Sequence, residues 1–215
     1  MHMIFLIRHG QTEWNKALVF RGRKDIPLST EGKTQAARTG KYLGRRKIYR
    51  IFTSPLMRAV DTANEIAKES HCDVRILESL TDINFGDWEG KTLEWVKQND
   101  PEIFSLFRSH PEKVVFPNGE SLDSCCNRAF DGFSTELHRL SIEHTDDVDC
   151  VFVTHRVVLK LLLLRAMGLS SSSFWKLQVD TCGLSELDFI DNTFIIKRIN
   201  SVCHLADEAH ESADF

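Results

Sequence analysis

Near its start the chain runs through five apolar residues, Met3-Ile4-Phe5-Leu6-Ile7, and then stops abruptly at Arg8-His9-Gly10. A strand without polar alternation is buried on both faces, as in the middle of a parallel sheet covered by helices. The strongest later run, Asp-Cys-Val-Phe-Val-Thr over 149–154, ends in the same way, at His155-Arg156. Apolar runs of this kind alternate with helical patterns along the chain, which predicts βαβ units. The fold expected is α/β, three layers deep (α/β/α), with a mostly parallel central sheet. One domain over residues 1–200 is expected, followed by a polar, frayed tail at 201–215.

The remaining strands are read at 51–53, 74–77, 183–190 and 194–199, the last two joined by a hairpin at Asp191-Asn192. A helix over 30–43 follows Ser29. Another is expected to start with Ser54 as its cap and Pro55 in first position, running to about 69. Short helices are read at 91–99 and 101–109, a long one from 121 to about 144, and one from His155 to Gly168.

Lys and Arg total 27 and Asp and Glu total 31, a formal charge of −4. A nucleic-acid binder would carry a basic surplus, so that class is not expected. The apolar runs are too short for a membrane span or a signal peptide. Six cysteines lack any CxxC pair, which suits free thiols in the cytoplasm better than a zinc site. No metal or organic cofactor is expected. A homodimer through a sheet edge is left open.

The chemistry sits where strands end. In open α/β sheets ligands bind beyond the carboxyl ends of the strands. His9 and His155 both occupy such positions and share one crevice if their strands are neighbours. Ser54-Pro55-Leu56-Met57-Arg58 places Arg58 in the first turn of a helix, where a cation opposes the dipole unless an anion offsets it. Two arginines, two histidines and a helix N-terminus suit a phosphoryl group. A neutral imidazole can attack phosphorus while cations stabilise the equatorial oxygens. The leaving oxygen needs a proton, and Asp82, Asp87 and Glu89 are the candidate donors.

Arg8-His9-Gly10-Gln11-Thr12-Glu13-Trp14-Asn15 resembles the signature of the histidine phosphatase, or phosphoglycerate mutase-like, superfamily. The likeness continues through residues 20–29, 54–59 and 85–90, then Pro117-Asn118-Gly119-Glu120-Ser121 and Val153-Thr154-His155, in the family's order. The resemblance implies that His9 becomes a phosphohistidine held by Arg8, Arg58 and His155. It implies that Asn15 lies near the phosphate, that Gly22 permits close backbone approach at the mouth, and that Asp82 is the acid, with Glu89 as the fallback. Four departures stand out. Asp82 stands where the family usually has glutamate, one methylene longer, Arg21 replaces a commoner neutral residue, Arg156 follows His155 where glycine is usual, and Asp180-Thr181-Cys182-Gly183 replaces an Asn-containing turn. Arg21 and Arg156 are read as substrate-binding, toward a second anionic group. The expected activity is hydrolysis of small phosphorylated metabolites. The rivals are a phosphoglycerate mutase and an inactive phospholigand-binding protein.

Overall fold

The computed structural model describes residues 2–143, 148–190 and 193–206. In chain order it holds β1 (His2–Arg8), α1 (Glu13–Lys16), α2 (Thr30–Leu43), β2 (Ile48–Thr53), α3 (Met57–Ser70) and β3 (Val74–Ile76). Then come α4 (Leu93–Asn99), α5 (Pro101–Ser109), α6 (Leu122–Glu143), β4 (Asp149–Thr154), α7 (Arg156–Ala166), β5 (Leu184–Ile190) and β6 (Thr193–Ser201). The strands form one sheet in the order β3-β2-β4-β1-β5-β6. The first four run parallel, while β5 is antiparallel to β1 and β6 to β5.

The continuous apolar run of β1 is explained by two cores. Phe5 and Ile7 face one of them, with Leu43 of α2 and Ala59, Ala63 and Ile66 of α3. Ile4 and Leu6 face the other, with Phe133 of α6 and the leucines of α7. All four β1 side chains have no exposed surface. The second core is rich in rings: Phe152 stacks on Phe52 at 4.8 Å and meets Phe133 edge-on at 4.7 Å. The expected three-layer architecture is therefore found.

The helix over 30–43 begins where expected, with Ser29 Oγ accepting from Gly32 N at 3.0 Å. Gly10 and Gly32 let its first turn lie against the loop after β1; a Cβ on Gly10 would reach 2.5 Å from the Gly32 carbonyl oxygen. Two expectations need correction. First, α3 begins at Met57 rather than Pro55, and its cap residue is Leu56. Ser54 Oγ accepts from Leu56 N at 3.3 Å, in the turn ahead of the helix, and also bonds His155 Nε2. Second, residues 201–206 are not part of a frayed tail. Ser201 is still in β6, and Leu205 is fully buried beside Leu28, Ala36 and Cys182. The rest of that tail, 207–215, and the hairpin residues 191 and 192 lie outside the described residues. Among the described residues no helix is long and apolar enough to cross a membrane.

Candidate active site

The pairing of β1 with β4 decides the site. Their register matches Arg8 with Thr154, so the next residues, His9 and His155, leave the sheet side by side. His9 N donates to Thr154 O at 2.9 Å, and the two imidazole centroids are 5.2 Å apart. Cys182, in the turn that departs from the expected pattern, braces the same place, donating to Arg8 O at 3.0 Å from a left-handed backbone.

His9 is oriented by its own loop. Nδ1 lies 2.6 Å from the Gly10 carbonyl, so it carries the proton, and Nε2 keeps its lone pair. The peptide that carries this carbonyl is held through Gln11 N, which donates to Gln35 Oε1 at 3.0 Å, and Gly10 N donates to Thr62 Oγ1 at 3.0 Å. Burial, then Arg58, Arg8 and Arg21, holds the His9 imidazole well below its ordinary basicity. His155 is lowered in the same way, by burial first and then by Arg58 and by His9 itself. Both rings are therefore neutral near pH 7, and a neutral ring is what nucleophilic attack requires.

Arg58 is fully buried. It donates to Lys24 O and Gly22 O, each at 2.8 Å, and to Asp82 Oδ2 at 3.2 Å. Arg8 is buried too and donates to Val179 O at 2.8 Å. Asn15 accepts from Thr12 N and Thr12 Oγ1 through Oδ1 at 2.9 and 2.8 Å. Among the described residues, buried Asn15 Nδ2, Arg58 Nε and His155 Nδ1 have no hydrogen-bond partner. Unmet buried polar atoms are costly, and each of these three is left able to bind a further group.

Asp82 completes the group. Its Oδ1 accepts from Ile83 N at 3.0 Å, and its Oδ2 lies 3.7 Å from His155 Nδ1. Burial raises its pKa, and this outweighs the opposite pull of Arg58 and Arg21. A carboxyl so raised is poised to hold and give a proton. Glu89 is not brought to this point. Its Oε1 accepts from Arg23 N at 2.8 Å and Phe85 N at 3.3 Å. It also packs against Gly22, whose φ is +51° and whose missing Cβ would collide with that carboxylate. Gly22 thus serves the loop that carries Arg58's acceptor.

Beside Asp82 lies a cavity lined by Val19, Phe20, Arg21, Phe85, Phe107, Arg156 and Val157. The two arginines singled out in the sequence share this wall. His9 does not line it.

Several contributors have no signal in a single sequence. Ser54 Oγ shares a 2.7 Å hydrogen bond with His155 Nε2, although Ser-Pro reads as an ordinary helix start. Arg128 of α6 donates to Ser79 O at 2.6 Å and Thr81 O at 3.0 Å, on the backbone just before Asp82. It also grips Glu120 through Nε and Nη2. Glu120 in turn accepts from Asn84 N at 3.0 Å and from Arg23 at 2.8 Å. Glu120 lies inside a quoted motif, but its partners are far away in sequence.

Comparison with known proteins agrees with this geometry. The model of the histidine phosphatase superfamily (branch 1) matches residues 4–202. Phosphoserine phosphatase 1 of Hydrogenobacter thermophilus is 33% identical over 99% of this chain and 100% of its own length. A probable phosphoglycerate mutase of Proteus mirabilis is 29% identical, covering 97% of each chain. The solved structure of YhfR from Bacillus stearothermophilus superposes with a TM-score of 0.88 at 29% identity, over 95% of this chain and all of its own. Two neutral histidines on adjacent parallel strands, buried arginines and a whole-chain match lead to one statement: the chain belongs to branch 1 of the histidine phosphatase superfamily.

Proposed function

We propose that this phosphatase hydrolyses small phosphomonoesters by parking the phosphoryl group on His9. The carrying observation is the His9 ring, with Nδ1 fixed on the Gly10 carbonyl and Nε2 turned over to chemistry beside unpartnered buried donors. Arg8, Arg58, His155 and Asn15 surround the phosphoryl oxygens and stabilise the charge that spreads over them in flight. Nε2 attacks phosphorus in line, the ester P–O bond breaks, and Asp82 delivers its proton to the departing alcohol oxygen. Water then attacks the phosphohistidine. Asp82, now a carboxylate, takes a proton from that water, and inorganic phosphate leaves. Arg21 and Arg156 contact the alcohol part of the ester. The phosphoserine phosphatase among the relatives supports a substrate of this small size. A cytoplasmic site of action suits six free cysteines.

The test is rapid quenching with a labelled phosphomonoester into alkaline detergent, in which the P–N bond of a phosphohistidine survives. The label should sit on His9, and His9→Ala should lose at least about 1,000-fold in kcat/KM. Full activity in His9→Ala would sink the reading. Following 3-phosphoglycerate by NMR separates the mutase alternative: free phosphate should accumulate, and interconversion with the 2-isomer would favour the mutase.

A further inference from the structure

The cavity beside Asp82 has a direction. It is bounded by the proposed acid but not by the nucleophile. In an in-line transfer the leaving oxygen departs on the side opposite His9, so this space belongs to the alcohol. Its walls are unusual for an alcohol site. Phe20, Phe107 and Val157 make one part apolar, while Arg21 and Arg156 line the same small space.

Arg156 is the more firmly placed of the two. It is 7% exposed, in the first turn of α7 next to His155. Its guanidinium stands 5.7 Å from the centre of the Trp175 ring. That indole is itself anchored, its Nε1 donating to Phe107 O at 2.6 Å. Arg108 and Lys160 stand over the same ring at 4.1 and 5.3 Å. Three cations around one ring raise the local positive potential well above what ring faces offset. Stacking uses the face of a guanidinium, whereas recognition of a planar anion uses its edge. A planar monoanion fits the combination of arginine and ring walls. A second phosphate, larger and doubly charged, would need a wetter and more polar cage.

The geometry points to Arg156 as the anchor for a carboxylate on the leaving alcohol, so that the substrates are short phosphorylated hydroxy or amino acids. This rests on the alcohol leaving past Asp82, as proposed above. The carboxylate lies within a few bonds of the ester oxygen, because Asp82 and Arg156 bound one compact space. Binding the carboxylate there would also orient the ester oxygen toward the acid.

The experiment compares O-phosphoserine with O-phosphoethanolamine, which differ only by the carboxylate. In the wild-type enzyme kcat/KM should favour O-phosphoserine by about 30- to 1,000-fold. Arg156→Gln should collapse that ratio toward one, and Arg156→Lys should retain part of it. The ratio cancels any loss common to both esters. A wild-type ratio near one overturns the proposal, as does a ratio that survives in R156Q. Preference for a short diol bisphosphate over O-phosphoserine overturns it too. Should R156Q fail to fold, the wild-type and R156K ratios decide on the same terms. Trapping of phosphate on His9 is read separately: its absence counts against the catalytic cycle, and an unselective ratio counts against the subsite.

Discussion

Two residues carry opposite pKa displacements from one cause. Burial lowers His9, which keeps its ring neutral for attack, and raises Asp82 toward the protonated form that a proton donor needs. Asp82→Asn keeps the shape and removes the proton. For alkyl phosphates kcat/KM should fall about 100- to 10,000-fold. For p-nitrophenyl phosphate, whose leaving group needs no proton, it should fall far less; equal losses would remove Asp82 from the acid role. Burial also links stability to pH. His9 and His155 bind protons more weakly folded than unfolded, so below their ordinary value of 6.5 the unfolded chain gains protons that the native one refuses. Stability then falls as pH falls. Asp82 acts in the other direction, its contribution being lost as pH rises from 3.8 through its raised native value. The melting temperature should drop between about pH 7.5 and about 5.5, and His9→Asn should shrink the drop. An unchanged drop would mean that other groups dominate. His9, Arg8, Arg58 and His155 were legible because each ends a strand or starts a helix within a local motif. Ser54 was not, since its role is a contact with His155 across 101 positions.

At the scale of elements, Asp82, the proposed acid, owes its position to Arg128 of α6. Arg128 and Glu120 together hold the carbonyls of Ser79 and Thr81 and the amide of Asn84, so both sides of Asp82 are clamped. The Glu120 carboxyl is pulled below its ordinary value by the hydrogen bonds of Arg128 and Asn84, against its partial burial, so it stays an anion. Arg128→Met should lower kcat/KM for alkyl phosphates about 10- to 100-fold by letting the Asp82 loop drift. Inhibition by inorganic phosphate should change little, because the phosphoryl pocket is built elsewhere. A parallel loss of phosphate binding would show a general collapse instead. Element starts were legible where a capping residue and the hydrophobic period agreed, as at Ser29 and Thr30. At Ser54 the start slipped, since the serine closes a turn on Leu56 N ahead of the helix and also bonds His155.

For the molecule as a whole, the pattern of doubly buried strands was enough to predict three layers and a largely parallel sheet. Strand order was not available from it, because pairing β1 with both β4 and β5 is settled by packing of α2 and α3 on one face and α6 and α7 on the other. Burial of Leu205 was hidden as well: its partners, Leu28, Ala36 and Cys182, are spread over most of the chain. The ring-rich core sets stability. Phe152→Ala, cut from between Phe52 and Phe133, should cost about 3–5 kcal/mol in denaturant unfolding. A cost under about 1 kcal/mol would mean that the core closes over the gap. The two histidines, finally, are spaced by a backbone ladder, His9 N on Thr154 O, rather than by side-chain fit. The interval between nucleophile and helper is thus inherited from the sheet and shielded from drift at the rim. Substitutions in the wall that carries Arg156 should therefore change which ester is hydrolysed while leaving the distance between the two rings as the sheet sets it.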